Sequence, residues 1–323
     1  MGLEARICKS QSEFRVRVSD IQKGADMPLR GVKPEAVEKR LKLLVYGPPG
    51  VGKTTAAIQF PSAYLIDMEK GSQNYAETIK KSGSMVFESS NPDDIKTEVT
   101  ALLTEKHPFK TVIIDPVTAL YGGLQDKWNR IFEKYATTQK QSELQDFGFR
   151  YWARVKSDYK SIMRMLTALD TNLIITSHQK DIYGTGMQRV GVGPDSMKGD
   201  EYVFDYVFAL ENVSGKRMAR TVKERAEIGQ QKFPEIFEWS YQNFCKFYGQ
   251  SAIERESNPV ILATAAQVEE IKKLIELVNV GEETISKWMT KEDVEDFSEM
   301  ESAKIQKYIE AIKKKLETVK GGK

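Results

Sequence analysis

Nine consecutive residues constrain this chain more than any others. Gly47-Pro48-Pro49-Gly50-Val51-Gly52-Lys53-Thr54-Thr55 fits the phosphate-binding loop pattern G-x-x-x-x-G-K-[ST] at every fixed position. Leu41 to Tyr46 is an apolar run that predicts a buried strand entering the loop. Thr55 to Phe60 predicts a helix leaving it, stopped by Pro61. Glycines let successive backbone N–H groups converge on one anion, and the helix N-terminus adds partial positive charge. In such a loop Lys53 reaches the β- and γ-phosphates and the Thr54 hydroxyl ligates Mg²⁺. All nine residues are therefore candidate nucleotide contacts.

A strand–loop–helix unit of this kind needs a sheet to sit in, and the chain supplies one. Ala63 to Asp67, Ser84 to Phe87, Thr111 to Asp115 and Asn172 to Ser177 are short apolar runs that read as strands. Asn91-Pro92-Asp93-Asp94 opens a helix running to about Glu105, with proline in the first turn and acids at the positive end. Alternating strands and helices predict a mostly parallel α/β sheet covered on both faces. Leu124 to Ala168 reads as long helix carrying Trp128, Phe132, Tyr135, Phe147, Phe149, Tyr151, Trp152 and Tyr159. Aromatic residues at helical spacing fit a core or an interaction surface. Asp181 to Gly199 is glycine-rich without apolar periodicity and reads as a long loop or hairpin. Tyr202 to Leu210, Lys216 to Lys223 and Ile236 to Trp239 read as further strands.

Residues 1–40 form a polar N-terminal extension with a short strand expected at Phe14 to Val18. The α/β core is placed at 41–248, a linker at 249–260 and a helical module at 261–323. In that module Thr264-Ala265-Ala266-Gln267 and Ser298-Glu299-Met300-Glu301 match the capping-box pattern. Each precedes an apolar helical face, Val268 to Val278 and Ile305 to Leu316. The Lys313-Lys314-Lys315 run suits a solvated helix end.

With 48 basic and 46 acidic residues the formal net charge is +2, so any nucleic-acid surface must come from local clustering. Cys8 and Cys245 offer neither a disulfide framework nor a C-x-x-C site, as expected for a reducing cytoplasm. The first residues lack a signal-peptide apolar region, and no run is long and apolar enough to span a bilayer. A cytoplasmic location without membrane attachment is the expectation.

Chemistry at the loop needs two further carboxylates. Asp115 ends a strand on the same edge as Gly47 and is the expected Mg²⁺ partner. Pro116 follows it, so a water-activating base must lie elsewhere. Glu69, after the strand ending at Asp67 and read as lying beside the loop, is the candidate base, although a helix-entry glutamate fits the same pattern. His178, at the end of the strand Asn172 to Ser177, lies on the ligand-binding edge of such a sheet. It is a candidate γ-phosphate sensor or an ordinary hydrogen-bonded histidine.

Together these residues resemble the RecA-type recombinase core, and more narrowly the compact RecA-like ATPases of bacteriophages that act in single-strand annealing. The resemblance spans about Leu41 to Trp239. It implies a RecA-like P-loop NTPase core using ATP and Mg²⁺, with Glu69 as catalytic glutamate and Tyr75 near the tyrosine that stacks on adenine. His178 stands where the family has its glutamine sensor. The loop after it corresponds to the second DNA-binding loop, making Lys180, Arg189 and Lys198 candidate DNA contacts. Lys223 and Arg225 resemble the basic pair that reaches a neighbouring subunit's nucleotide; two solvated strand-edge cations are the plainer reading. The implied function is ATP-dependent pairing or annealing of single-stranded DNA by a homo-oligomer in phage recombination or replication. The C-terminal module is a candidate docking site for a single-strand-binding protein or other recombination partner. A helicase-loader or packaging-type ATPase and an ATP-switched scaffold are the alternatives.

Overall fold

The computed structural model describes residues 39–136, 141–225 and 231–320. The expected N-terminal extension up to Glu38, with its strand at 14–18 and Cys8, lies outside them. So do the side chains of Tyr135, Phe147 and Phe149.

Strands β1 (Lys42–Gly47), β2 (Ala63–Asp67), β3 (Met85–Glu88), β4 (Thr111–Asp115) and β5 (Asn172–Tyr183) run parallel. β6 (Arg189–Pro194) folds back antiparallel on the outer half of β5. β7 (Tyr206–Val213) pairs parallel with β1, and β8 (Lys216–Glu224) and β9 (Ile236–Glu238) continue the sheet antiparallel. The order is β3-β2-β4-β5-β1-β7-β8-β9, with β6 attached to β5. Two strands, β4 and β5, therefore separate β2 from β1. The expectation that the Glu69 strand lies beside the loop is corrected by this order.

Strand residues alternate between faces, and each face has its own core. Leu44, Ile66, Val112, Ile114, Leu173 and Ile175 face one side. There they pack against α3 (Pro92–Thr104), α4 (Val117–Ala136) and α5 (Gln141–Ala168). Leu43, Val45, Leu65, Ile113 and Ile174 face the other, against α1 (Lys53–Ala57) and α2 (Ala76–Lys81) and a cluster including Phe208, Phe237, Phe244 and Tyr248. The architecture is the expected α/β class, a mostly parallel sheet with helices on both faces. Tyr151 and Tyr159 are buried in the first core, whereas Trp152 is half exposed. The aromatic spacing thus marks core for these two tyrosines.

Asn91 caps α3 through its side chain, which accepts the Asp93 N–H at 3.1 Å, with Pro92 in the first turn. Of the two readings for Asp181 to Gly199 the hairpin holds up to Pro194, where β6 pairs with β5, and residues 195–199 follow outside the strands. A short helix, α6 (Asp200–Val203), occupies the position expected to begin the next strand. The segment 249–260 carries α8 (Gln250–Ile253), which follows α7 (Tyr241–Tyr248) and buries Ile253 against the sheet.

The C-terminal helices are α9 (Ala265–Val278), α10 (Glu282–Glu292) and α11 (Ser302–Lys320). Ile271, Phe297, Met300, Ile305, Ile309 and Ile312 form their own core. The capping box at Thr264 is formed in both directions. The second one is not. Phe297–Glu299 is a short 3-10 turn capped by Asp296, and Glu299 accepts hydrogen bonds from Ser161 (2.7 Å) and Arg164 (3.1 Å) on α5. The Ser298 N–H goes to Asp296 Oδ1 at 2.9 Å, the Glu301 carboxylate pairs with Lys304 at 2.8 Å, and the helix begins only at Ser302, so the reciprocal box cannot close. The described residues from Lys39 onward belong to one compact unit.

Candidate nucleotide-binding site

The carboxyl ends of β1, β2, β4 and β5 converge on a cleft of about 610 Å³. Gly47, Gly50, Gly52, Lys53 and Thr54 form one wall, and Glu69, Asn74, Tyr75, Asp115, His178 and Asp195 line the rest. Gly47 admits no side chain, because a Cβ there would lie 2.6 Å from the Leu210 carbonyl oxygen of β7. Gly52 takes φ +88°, the left-handed region open to glycine, and so turns the loop into α1.

Lys53 Nζ donates to the carbonyls of Gly47 (3.0 Å) and Pro48 (3.1 Å), which hold the ammonium over the loop. Burial lowers its pKa, opposed by the carboxylates of Asp115 and Glu69. On β4, Asp115 is buried and accepts hydrogen bonds from Thr54 Oγ1 at 2.6 Å and from Thr176 Oγ1. Burial raises its pKa, the two hydroxyl donors oppose that, and Asp67 and Glu69 add to it. A cation beside Asp115 offsets this desolvation by favouring the charged form.

Thr54 and Asp115 together offer hard oxygen ligands at one point of the cleft. Among the described residues no group of three or more His, Cys, Asp or Glu is placed to hold a metal ion. Mg²⁺ commonly takes one or two protein oxygens and completes its shell with phosphate and water. This donor set fits that habit.

Glu69 is positioned by its neighbour in sequence. The buried Asp67 carboxylate accepts the N–H groups of Glu69 (3.0 Å), Gly71 (3.3 Å) and Ser72 (2.8 Å), tying down the turn after β2. Despite the two intervening strands, Glu69 Oε1 comes within 3.3 Å of His178 Nε2. His178 pairs in register with Gly47 across β5 and β1, and its N–H donates to Thr118 Oγ1 on α4 at 3.0 Å. The strand twist and the turn bring the two side chains together over the loop. Tyr75 lines the same cleft, with its hydroxyl 3.2 Å from Thr55 Oγ1.

With this site and sheet in place, comparison with known proteins is decisive at one level. The sequence profile of the AAA domain family matches residues 39–233. The chain belongs to the AAA domain family. Within the AAA domain fall the loop, Glu69, Asp115, His178 and the whole β5–β6 hairpin. The crystal structure of the RadB recombinase is similar at 15% identity and a TM-score of 0.35, over 57% of this chain and 80% of that one. No curated protein matches the chain.

The candidates expected to serve a neighbouring subunit's nucleotide or DNA lie outside this cleft. Lys223 Nζ donates to the carbonyls of Glu201 (2.7 Å) and Phe204, where β8 braces the end of α6. Arg225 pairs with Asp205 at 2.8 Å. Both cations have partners in their own chain and neither lines the cleft. On the hairpin, Arg189 pairs with Asp181 (2.8 Å) and Lys180 with Asp195 (3.3 Å), while Lys198 is exposed. The hairpin cations are thus partly neutralised locally. Ile182, Tyr183, Met187 and Val190 expose apolar surface beside them. Asp67, Thr118 and Thr176 were not singled out from the sequence. Asp67 alone left a trace, as a carboxylate ending a strand just before Glu69. No helix of the described residues is long and apolar enough to cross a membrane.

Proposed function

We propose that this AAA domain protein hydrolyses ATP and uses the cycle to bind and pair single-stranded DNA, in phage recombination or replication as the resemblance implies. One observation carries the reading. β5 runs without a break from His178, 3.3 Å from Glu69 in the cleft, into the exposed hairpin bearing Lys180, Tyr183 and Arg189. Occupancy of the γ-phosphate position therefore has a direct mechanical route to the outer surface.

In this reading the loop N–H groups and Lys53 hold the phosphates, and Mg²⁺, held through Thr54 and Asp115, supplies charge neutralisation when bound. Glu69 accepts a proton from water as the water oxygen forms its bond to the γ-phosphorus. The bond from that phosphorus to the β-bridging oxygen breaks, leaving ADP and phosphate. His178 holds Glu69 and reads the γ-phosphate beside it. Asp67 is a positioning residue acting through the Glu69 backbone. Tyr75 stacks on the base.

Bases of the single strand stack on Tyr183, and the hairpin cations follow the phosphates. The same reading has the protein act as a homo-oligomer, with the C-terminal helices docking a recombination partner. Hydrolysis measured with and without single-stranded DNA, beside annealing of complementary strands, tests it. DNA-stimulated hydrolysis with ATP-dependent annealing is the expected result. Stimulation only by a protein partner would favour a loader or scaffold instead.

A further inference from the structure

Arg217 stands near the start of β8, beside the turn of the β7–β8 hairpin and outside the cleft. Its backbone is fixed on both sides: Arg217 pairs with Asn212 of β7, and its carbonyl accepts the Trp239 N–H at 2.8 Å. From there the side chain crosses to the phosphate loop, where Nε donates to the Val51 carbonyl oxygen at 3.0 Å. The guanidinium packs against Gly52, so closely that a Cβ on Gly52 would fall 2.2 Å from Nη2. Gly52 is therefore required twice, by its φ of +88° and by this contact. Among the described residues no carboxylate lies within ion-pair distance of Arg217, and Val51 is its one hydrogen-bonded side-chain partner. The guanidinium is committed to the loop.

The consequence follows from peptide geometry. In a planar trans peptide the C=O and the following N–H point in opposite directions. A donor that fixes the Val51 carbonyl on the outer side of the loop therefore fixes the Gly52 N–H toward the inner side, where the anion sits. Without a partner, a peptide flanked by Gly50 and Gly52 has the freedom to flip and present a carbonyl to the phosphates.

We infer that Arg217 is a positioning residue of the phosphate nest, holding the Val51–Gly52 peptide in the anion-binding orientation from behind. The inference rests on the nucleotide-binding reading of the cleft. Since the loop's N–H groups cradle the α- and β-phosphates, ATP and ADP should lose affinity together when the brace is removed.

The test is the affinity of the full chain for fluorescent ATP and ADP analogues, measured for wild type, Arg217→Ala and Arg217→Lys, with thermal melts as a control. Wild-type binding that Lys53→Ala abolishes establishes the reading itself; its absence fails that reading, not the brace. Given that binding, Arg217→Ala should weaken ATP and ADP alike by about tenfold, the scale of one charged hydrogen bond. The loss should persist at 0.5 M salt, where a long-range charge effect is screened. Arg217→Lys keeps the charge but not the flat, fixed donor, and should recover only part of the loss. Unchanged affinity, a loss confined to ATP, a loss that salt erases, or full recovery by lysine would each overturn the brace. If Arg217→Ala does not fold, the lysine variant and its salt dependence decide the question.

Discussion

From Asn172 to Ser177, β5 is buried between β4 and β1; from Lys180 to Tyr183 the same strand is exposed on one side of a hairpin. His178 and Gln179 form the boundary between the two halves. In the buried half, side chains are held by several neighbours at once, as Thr176 is by the Asp115 carboxylate. In the outer half the charged groups pair with carboxylates of the same hairpin, Arg189 with Asp181 and Lys180 with Asp195. One strand thus contains a buried inner end and an exposed outer end. A buried polar group must find fixed partners to offset desolvation, while an exposed one can exchange its partner for a ligand at little cost.

The comparison is sharpest at the loop. Lys53→Ala should abolish nucleotide binding or lower hydrolysis by at least about a thousandfold, since it removes the charge facing the phosphates. Wild-type turnover in that variant would falsify the cleft as the reaction site. Next in size, Glu69→Gln should keep ATP binding while hydrolysis falls by about a hundredfold, the scale of a lost positioned base. If turnover stays normal, the activating base is another residue, and the Glu69–His178 contact has a different purpose.

A third measurement probes the far end of the buried region, where β1 starts. Lys42 Nζ donates to the carbonyls of Leu169 and Thr171, both at 3.3 Å, and burial lowers its pKa to about 8, opposed by Asp205. Between pH 8 and 10.5 the unfolded chain holds this proton more tightly than the folded one, so stability should rise with pH through that window. After solvent screening the gain is on the order of 2 kcal/mol. Urea unfolding of wild type and Lys42→Met at pH 7.5 and 9.5 isolates it. An identical pH slope in both proteins rules it out.

The smallest effects belong to the hairpin. Tyr183→Ala should weaken single-stranded DNA binding by about tenfold, as expected for one stacked base. Arg189→Ala with Lys198→Ala should cost only a few-fold and lower the salt slope by less than about 1.4, because Arg189 is already paired. A larger loss from the charge variants than from Tyr183→Ala would reverse the contrast between the two halves of β5.

Much of this was legible in the sequence where local chemistry is sufficient. A glycine-rich loop between an apolar strand and a helix needs no distant partner to declare itself, and Gly47 to Thr55 lie as that pattern requires. The strands ending at Asp67 and Asp115 were visible as β-branched or apolar runs closed by a carboxylate. Thr264 was readable as a cap because its partner in both directions, Gln267, lies three residues away. At Ser298 the same pattern failed, since the Asp296 side chain takes the Ser298 N–H and the Glu301 carboxylate pairs with Lys304.

By itself, then, the sequence determined the phosphate loop, the α/β class and the residues that end the central strands, because these follow from spacing and periodicity along the chain. Only the tertiary structure decided which strand ends meet. β4 and β5 insert between β2 and β1, yet Glu69 and His178 come together across them. Within their own chain Lys223 and Arg225 contact the end of α6 and Asp205, and Arg217, unremarkable in sequence, reaches the back of the loop. Strand order and long side-chain reach are set by how both faces of the sheet are buried, and no local pattern encodes that choice.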